Sequence, residues 1–102
     1  MSILDFVEAW WLSVRAILEA AGVVIRFDRS PGDRLNPSCS LNLRHDELEA
    51  DLLVWDSGEA ELVIVEAGGW VNQKHFDDIR NPPDLGEALL RLVLIARPTC
   101  PK

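Results

Sequence analysis

Residues 48–65 read LEADLLVWDSGEAELVIV. Every second residue in each half of this stretch is apolar, which is typical of half-buried strands, and Asp56-Ser57-Gly58 between the halves favour a turn. A three-residue loop that ends in a left-handed Gly58 places Trp55 opposite Glu59. A two-residue loop would mix acidic with apolar side chains on both faces, which a half-buried sheet disfavours. The stretch therefore predicts an antiparallel hairpin with a three-residue loop.

This register divides the side chains of the hairpin between two faces. One face is uniformly apolar: Leu48, Ala50, Leu52, Val54, Ala60, Leu62 and Ile64. The other face adds Val63 and Val65 to six residues that we predict to bind a partner: Glu49, Asp51, Leu53, Trp55, Glu59 and Glu61. In this interpretation Trp55 is the anchor, and the four carboxylates steer and pair with a basic partner. The alternative is that a loop or helix of the same chain covers the apolar half of this face.

The residues before the hairpin predict a helix and two strands. Ser2 and Asp5 form a capping pair for a helix that stops at Gly22. Its predicted apolar stripe is Ile3, Val7, Trp10, Val14, Ile17 and Ala21, widened by Phe6, Trp11 and Leu18. Alternating residues then predict strands over 23–28 and 39–44, separated by a segment rich in turn residues.

The residues after the hairpin predict a short fifth strand and a second helix. The strand is Trp70–Phe76, and Pro82-Pro83 mark a break after it. Asp84 with Glu87 forms a second capping pair, which starts a helix rich in leucine. Residues 89–96 are so apolar that a buried strand is the alternative to a helix there.

Together these elements predict one α+β domain over residues 1–102. It consists of an N-terminal helix, an antiparallel sheet of four to five strands and a C-terminal helix, with the helices packed on one sheet face. A chain of 102 residues has the commonest size for one domain.

The charge of the chain points to a protein partner. Seventeen acidic and 10 basic side chains give a net charge of −7, which repels the phosphates of nucleic acids and anionic lipids. We therefore expect neither nucleic acid nor a membrane as a partner. Residues 46–66 hold eight carboxylates and no basic residue, whereas residues 26–45 carry a net charge of +2. The acidic stretch contains the hairpin, so the pattern favours a basic protein as the partner.

The cysteines and the N-terminus predict a cytoplasmic protein. Cys39 and Cys100 are too few for a disulfide framework, although one bridge between them stays open as an alternative. Asp5 and Glu8 stand where a secretory signal requires a basic start and an unbroken apolar run. We expect a protein that works where it is made.

Catalytic chemistry is disfavoured. Asp51 and Glu66 resemble the metal-binding pair of the PD-(D/E)xK nucleases, but Gly68 occupies the position of the lysine that stabilises charge in that family. His45 and His75 have no metal-ligand spacing, and Cys39 has no identifiable base. We therefore predict no enzyme activity, no cofactor and no metal; a degenerate nuclease is the second alternative.

The whole chain resembles the TriTu family of bacterial immunity proteins, which neutralise polymorphic or contact-dependent toxins. The resemblance is carried by an opening helix with Trp10-Trp11, a closing leucine-rich helix and the segments between them: Asn36-Pro37-Ser38, Leu48–Trp55, Trp55-Asp56-Ser57-Gly58-Glu59, Leu62–Glu66 and His75-Phe76-Asp77-Asp78. The resemblance implies a non-catalytic protein that binds a cognate toxin domain in the cytoplasm as a monomer or weak homodimer. A small acidic secretion chaperone is the main alternative; such chaperones are usually obligate dimers.

Overall fold

The structure is a computed structural model that describes residues 2–30 and 35–94. Two helices flank five strands in the chain. The elements are α1 (Ile3–Ala20), β1 (Val24–Arg29), β2 (Ser38–His45), β3 (Leu48–Trp55), β4 (Ala60–Val65), β5 (Val71–Phe76) and α2 (Pro82–Leu94). The strands form one antiparallel sheet in the order β1-β2-β3-β4-β5. The predicted fold class is confirmed, and so is the fifth strand.

The β3–β4 hairpin has the predicted register. Val54 pairs with Ala60, and the Trp55 N–H donates to the Glu59 carbonyl at 2.9 Å. The Gly58 N–H closes the turn by donating to the Trp55 carbonyl at 2.9 Å. Gly58 has a φ of +102°, in the left-handed region that favours glycine. The loop therefore has three residues.

Both helices pack on the same face of the sheet. That face carries the predicted apolar residues of the hairpin, of which Ala50, Leu52, Val54, Ala60 and Leu62 are buried. Leu41 and Leu43 of β2 extend the layer beneath α1, and α2 adds Ala88 and Leu92 to the same core. Since both helices cover this face, neither described helix lies on the opposite face of the sheet.

Helix α1 begins as predicted but is rotated relative to the predicted stripe. The Ser2 hydroxyl and the Asp5 side chain form the predicted capping box. Ile3, Val7 and Leu18 are buried as predicted, but Leu4 is buried as well, whereas Ile17 is 72% exposed. The physical reason is a contact with β1, which the spacing of apolar residues within the helix cannot reveal: the Trp11 ring stacks on Phe27, with the ring centroids 5.1 Å apart.

An ion-pair contact ties α1 to the edge strand β1. The Arg29 guanidinium donates from Nη1 to Asp5 Oδ1 at 2.9 Å and to Glu8 Oε1 at 3.1 Å. Hydrogen bonding to Arg29 holds the pKa of Asp5 below its usual value. With the Trp11–Phe27 stack, this contact fixes the rotation of the helix over the sheet.

Helix α2 starts earlier than predicted. Pro82 and Pro83 lie in its first turn, and the N–H groups of Asp84 and Leu85 donate to the Asn81 carbonyl at 3.0 Å. Asp84 is therefore not the cap. Prolines are tolerated here because the first N–H groups of a helix have no partner within it. The helical alternative for residues 89–96 is confirmed as far as Leu94; residues 95 and 96 lie outside the described residues, as does Cys100.

Candidate partner-binding face

The face of the sheet opposite the helices is called the open face. Its side chains come from all five strands and from Glu59. They are Val24, Arg26 and Asp28; Ser38, Ser40, Asn42 and Arg44; Glu49, Asp51, Leu53 and Trp55; Glu59, Glu61, Val63 and Val65; and Val71, Gln73 and His75. All six residues predicted from the sequence to bind a partner lie on it. The alternative was a loop or helix of the same chain as a cover; both described helices lie on the other side of the sheet.

Acidic and apolar side chains alternate across β3 and β4 on the open face. Leu53 pairs with Glu61, and Asp51 pairs with Val63. The same alternation holds for Glu49 with Val65, and it extends to Trp55 and Glu59 at the turn. Each carboxylate thus stands opposite an apolar side chain across the ladder, whereas along the strands the carboxylates are grouped, Glu49 beside Asp51 and Glu59 beside Glu61. A partner for this surface has to offer apolar contacts and cations at a spacing of a few ångströms.

Asn42 of β2 holds two of the carboxylates. Its Nδ2 donates to Glu49 Oε2 at 2.9 Å and to Asp51 Oδ1 at 2.7 Å. Arg44 on the same strand lies 3.6 Å from Glu49. The amide thus holds two carboxylates side by side on the open face. Sequence reasoning missed Asn42; the available signal was its place at a polar position of the strand next to β3.

His75 of β5 holds a third carboxylate. Its Nδ1 lies 2.6 Å from Glu61 Oε1, and its Nε2 lies 3.3 Å from Asp77 Oδ1. The hydrogen bond to Glu61 raises the pKa of His75 above the ordinary value of 6.5, and the charges of Asp77 and Glu59 act in the same direction. The sequence singled out His75 only as an isolated histidine, because the β4–β5 pairing that brings it to Glu61 is not visible in residue spacing.

The His75–Glu61 pair predicts a pH dependence. Because the folded-state pKa of His75 is raised, the pair stabilises the fold fully below about pH 6.5 and loses this contribution as pH rises through the folded pKa. We expect Glu61→Gln to lower the pKa of His75, as followed by NMR titration of its imidazole. An unchanged His75 pKa in the variant would contradict the pairing.

The open face also carries two cations. Arg26 and Arg44 stand on the β1–β2 side of this face. Of the five carboxylates on its strands and turn, Asp28 also stands on that side, and the other four stand on the β3–β4 side. The face is therefore acidic at its centre and mixed toward β1. This asymmetry gives a charged partner a preferred orientation.

The geometry excludes the arrangement expected of a nuclease. Asp51 lies on the open face, whereas Glu66 follows Ile64 on the helix side and accepts a hydrogen bond from Asn72 Nδ2 at 3.1 Å. Two carboxylates on opposite sides of a sheet cannot hold one metal ion. Within the described part of the chain, no three His, Cys, Asp or Glu side chains are grouped to hold a metal.

Cys39 is a core residue. It is only 2% exposed, and burial raises the pKa of its thiol to about 12, so the sulfur is protonated at neutral pH. A protonated, inaccessible thiol is a poor nucleophile.

The segments that carry the family resemblance meet at the β3–β4 turn. The Ser57 N–H donates to Asn36 Oδ1 at 3.3 Å, and the Asp56 N–H donates to the Pro37 carbonyl at 2.8 Å. From the other side, the Ile79 N–H donates to the Gly58 carbonyl at 2.6 Å. Three separate stretches of the sequence are thus joined at one end of the sheet.

Comparison with known proteins agrees with this arrangement. A family model described as immunity protein TriTu matches residues 5–95. Searches among curated proteins and among solved structures gave no match. In the described ranges, neither helix is long and apolar enough to cross a membrane. Because the family match spans nearly the whole chain, the protein belongs to the TriTu family of immunity proteins.

Proposed function

We propose that this immunity protein binds a cognate toxin domain with its open face, in the cytoplasm, and neutralises it without catalysis. Family membership supports the toxin-neutralising role. The observation that carries the choice of surface is the alternation of half-buried apolar residues and carboxylates on one side of the sheet, with both helices on the other.

Trp55 is the anchor of the proposed surface. It is half-buried beside the turn, and its backbone is held by the Glu59 carbonyl and the Gly58 N–H. Leu53 and Val63 continue its apolar surface along β3 and β4. A tryptophan on rigid backbone loses little conformational entropy when a partner covers it, so it contributes strongly to affinity.

The carboxylates determine which partner is attracted. Glu59 and Asp51 are exposed, and Glu49 and Glu61 are half-buried beside them. A basic toxin surface is drawn to this field over a distance of about one Debye length, and an acidic or neutral surface is not. The partner's cations replace the Asn42 and His75 contacts or join them, so they meet carboxylates that are already positioned.

The test uses the toxin domain that we expect in the neighbouring upstream reading frame, as the variable C-terminal part of a large secreted protein. Glu59→Lys with Glu61→Lys should reduce protection of cells that express this domain and should slow association about tenfold or more at low salt. The matched control, Glu19→Lys with Glu66→Lys, makes the same change of net charge outside the open face and should protect like wild type.

The fold of each variant is checked by circular dichroism and by its unfolding midpoint. If both double variants bind the toxin domain equally, the open face is not the binding surface. If the isolated protein is an obligate dimer and the neighbouring domain is not toxic, the chaperone alternative is favoured instead.

A further inference from the structure

The outer edge of β5 presents unpaired backbone groups. The Glu66 N–H donates to the Trp70 carbonyl at 2.7 Å, which makes these two residues a hydrogen-bonded pair. Hydrogen-bonded pairs alternate along an antiparallel ladder, so Asn72, Lys74 and Phe76 also bond to β4. The N–H and C=O groups of Val71, Gln73 and His75 therefore point away from the sheet.

The two edges of the sheet differ. At β1, Phe27 and Arg29 are engaged by α1. At β5, all residues except Phe76 are exposed, and the ladder with β4 runs without a bulge. Natural edges are usually blunted by proline, a bulge or an outward lysine. The one lysine here, Lys74, is drawn back to Glu87 at 2.6 Å, which leaves a regular, accessible edge.

The edge is complementary to itself. If two β5 strands pair antiparallel about a two-fold axis at Gln73, Gln73 meets Gln73, Val71 meets His75 and Asn72 meets Lys74 of the other copy. No like charges are directly opposed, and all three outward-facing residues form hydrogen-bonded pairs. Val71 and Trp70, which are 60% and 75% exposed, gain a neighbouring strand.

Three other registers are worse. A two-fold axis at Lys74 places two ammonium groups directly opposite each other. An axis at Val71 or at His75 pairs strand residues with turn residues, so fewer residues of β5 are used.

From this complementarity we infer that two copies of the protein associate through β5, centred on Gln73, and form one continuous ten-stranded sheet. The inference does not depend on the proposed function. A contact through one strand is small, so the dimer is weak and dissociates on dilution.

Oligomeric state tests the inference directly. Sedimentation over a roughly hundredfold range of concentration should show a reversible monomer–dimer equilibrium. Gln73→Pro removes an outward N–H and leaves the β4–β5 ladder intact, so it should abolish the dimer. Gln73→Ala keeps the N–H and should retain the dimer.

Cross-linking tests the register. In a Cys100→Ser background, Gln73→Cys should form an intermolecular disulfide, since the two-fold axis brings the substituted positions face to face. His75→Cys, two residues along the same edge, lies opposite Val71 and should not cross-link. A protein that stays monomeric throughout, a Gln73→Pro dimer, or equal cross-linking of the two variants would overturn the inference.

Discussion

We expect Gly58→Ala to be the most destabilising single-methyl change in the hairpin, with a loss of about 3 kcal/mol in the free energy of unfolding. Two causes add. The φ of +102° is strained for any residue with a Cβ. The new methyl group would also overlap Asp78 Oδ1 and lie 2.8 Å from Arg80 Nε.

The atoms that the new methyl group would meet are the ends of two half-exposed side chains, Asp78 at 48% and Arg80 at 54%, which have to shift toward solvent to admit it. Asp78 and Arg80 form a two-pronged ion pair with distances of 2.8 and 2.9 Å, and Ile79 between them is fully buried. The Ile79 N–H also bonds to the Gly58 carbonyl. A methyl group there has to displace this ion pair, which stands beside the backbone bond that joins the hairpin to the segment before α2. For a domain whose total stability is roughly 5–15 kcal/mol, this is a large fraction.

Gly69→Ala is the matched control for Gly58→Ala. Gly69 has a similar φ of +87°, and a Cβ built there meets no atom within 4 Å. Urea unfolding of the two variants should therefore separate backbone strain, which both contain, from the close approach, which only Gly58 has. Equal losses in the two variants would show that the Asp78–Arg80 contact gives way at no cost.

The fold was predictable where local chemistry limits the choices. In the hairpin, the turn residues and the alternation agree on a single register, and the structure has that register. The rotation of α1 was not predictable, because it depends on Trp11 meeting Phe27 sixteen residues later in the chain. The contact between Gly58 and Asp78 was not predictable for the same reason. The sequence shows that Gly58 ends a turn, but it does not show which side chains pack against that turn.

The candidate surface was predictable only in part. The register was enough to place Glu49, Asp51, Glu59 and Glu61 on one face beside Trp55. The neighbours of these residues depend on the order of the strands. That order puts Asn42 between two carboxylates, and it puts Arg44 from the basic segment on the same face. A sum of charges along the chain therefore describes the face as more uniformly acidic than it is.

We expect Trp55→Ala to weaken toxin binding by about 2 kcal/mol or more, which is roughly a 30-fold rise in Kd. The side chain is the largest apolar group on the open face, and its strand continues as Leu53, so its loss removes the centre of the contact. Trp70→Ala is the matched control: Trp70 is 75% exposed but stands at the β4–β5 turn, and its loss should leave toxin binding unchanged.

The kinetics of the variants distinguish an anchor from a steering group. Loss of Trp55 should act mainly on dissociation, because the contact exists only in the bound complex. Reversal of Glu59 and Glu61 should act strongly on association and should lose its effect as salt rises, because steering is a long-range effect. Binding kinetics at two salt concentrations measure both. If Trp55→Ala instead slows association without affecting dissociation, Trp55 is not buried in the complex, and the open face contributes charge but not the anchor.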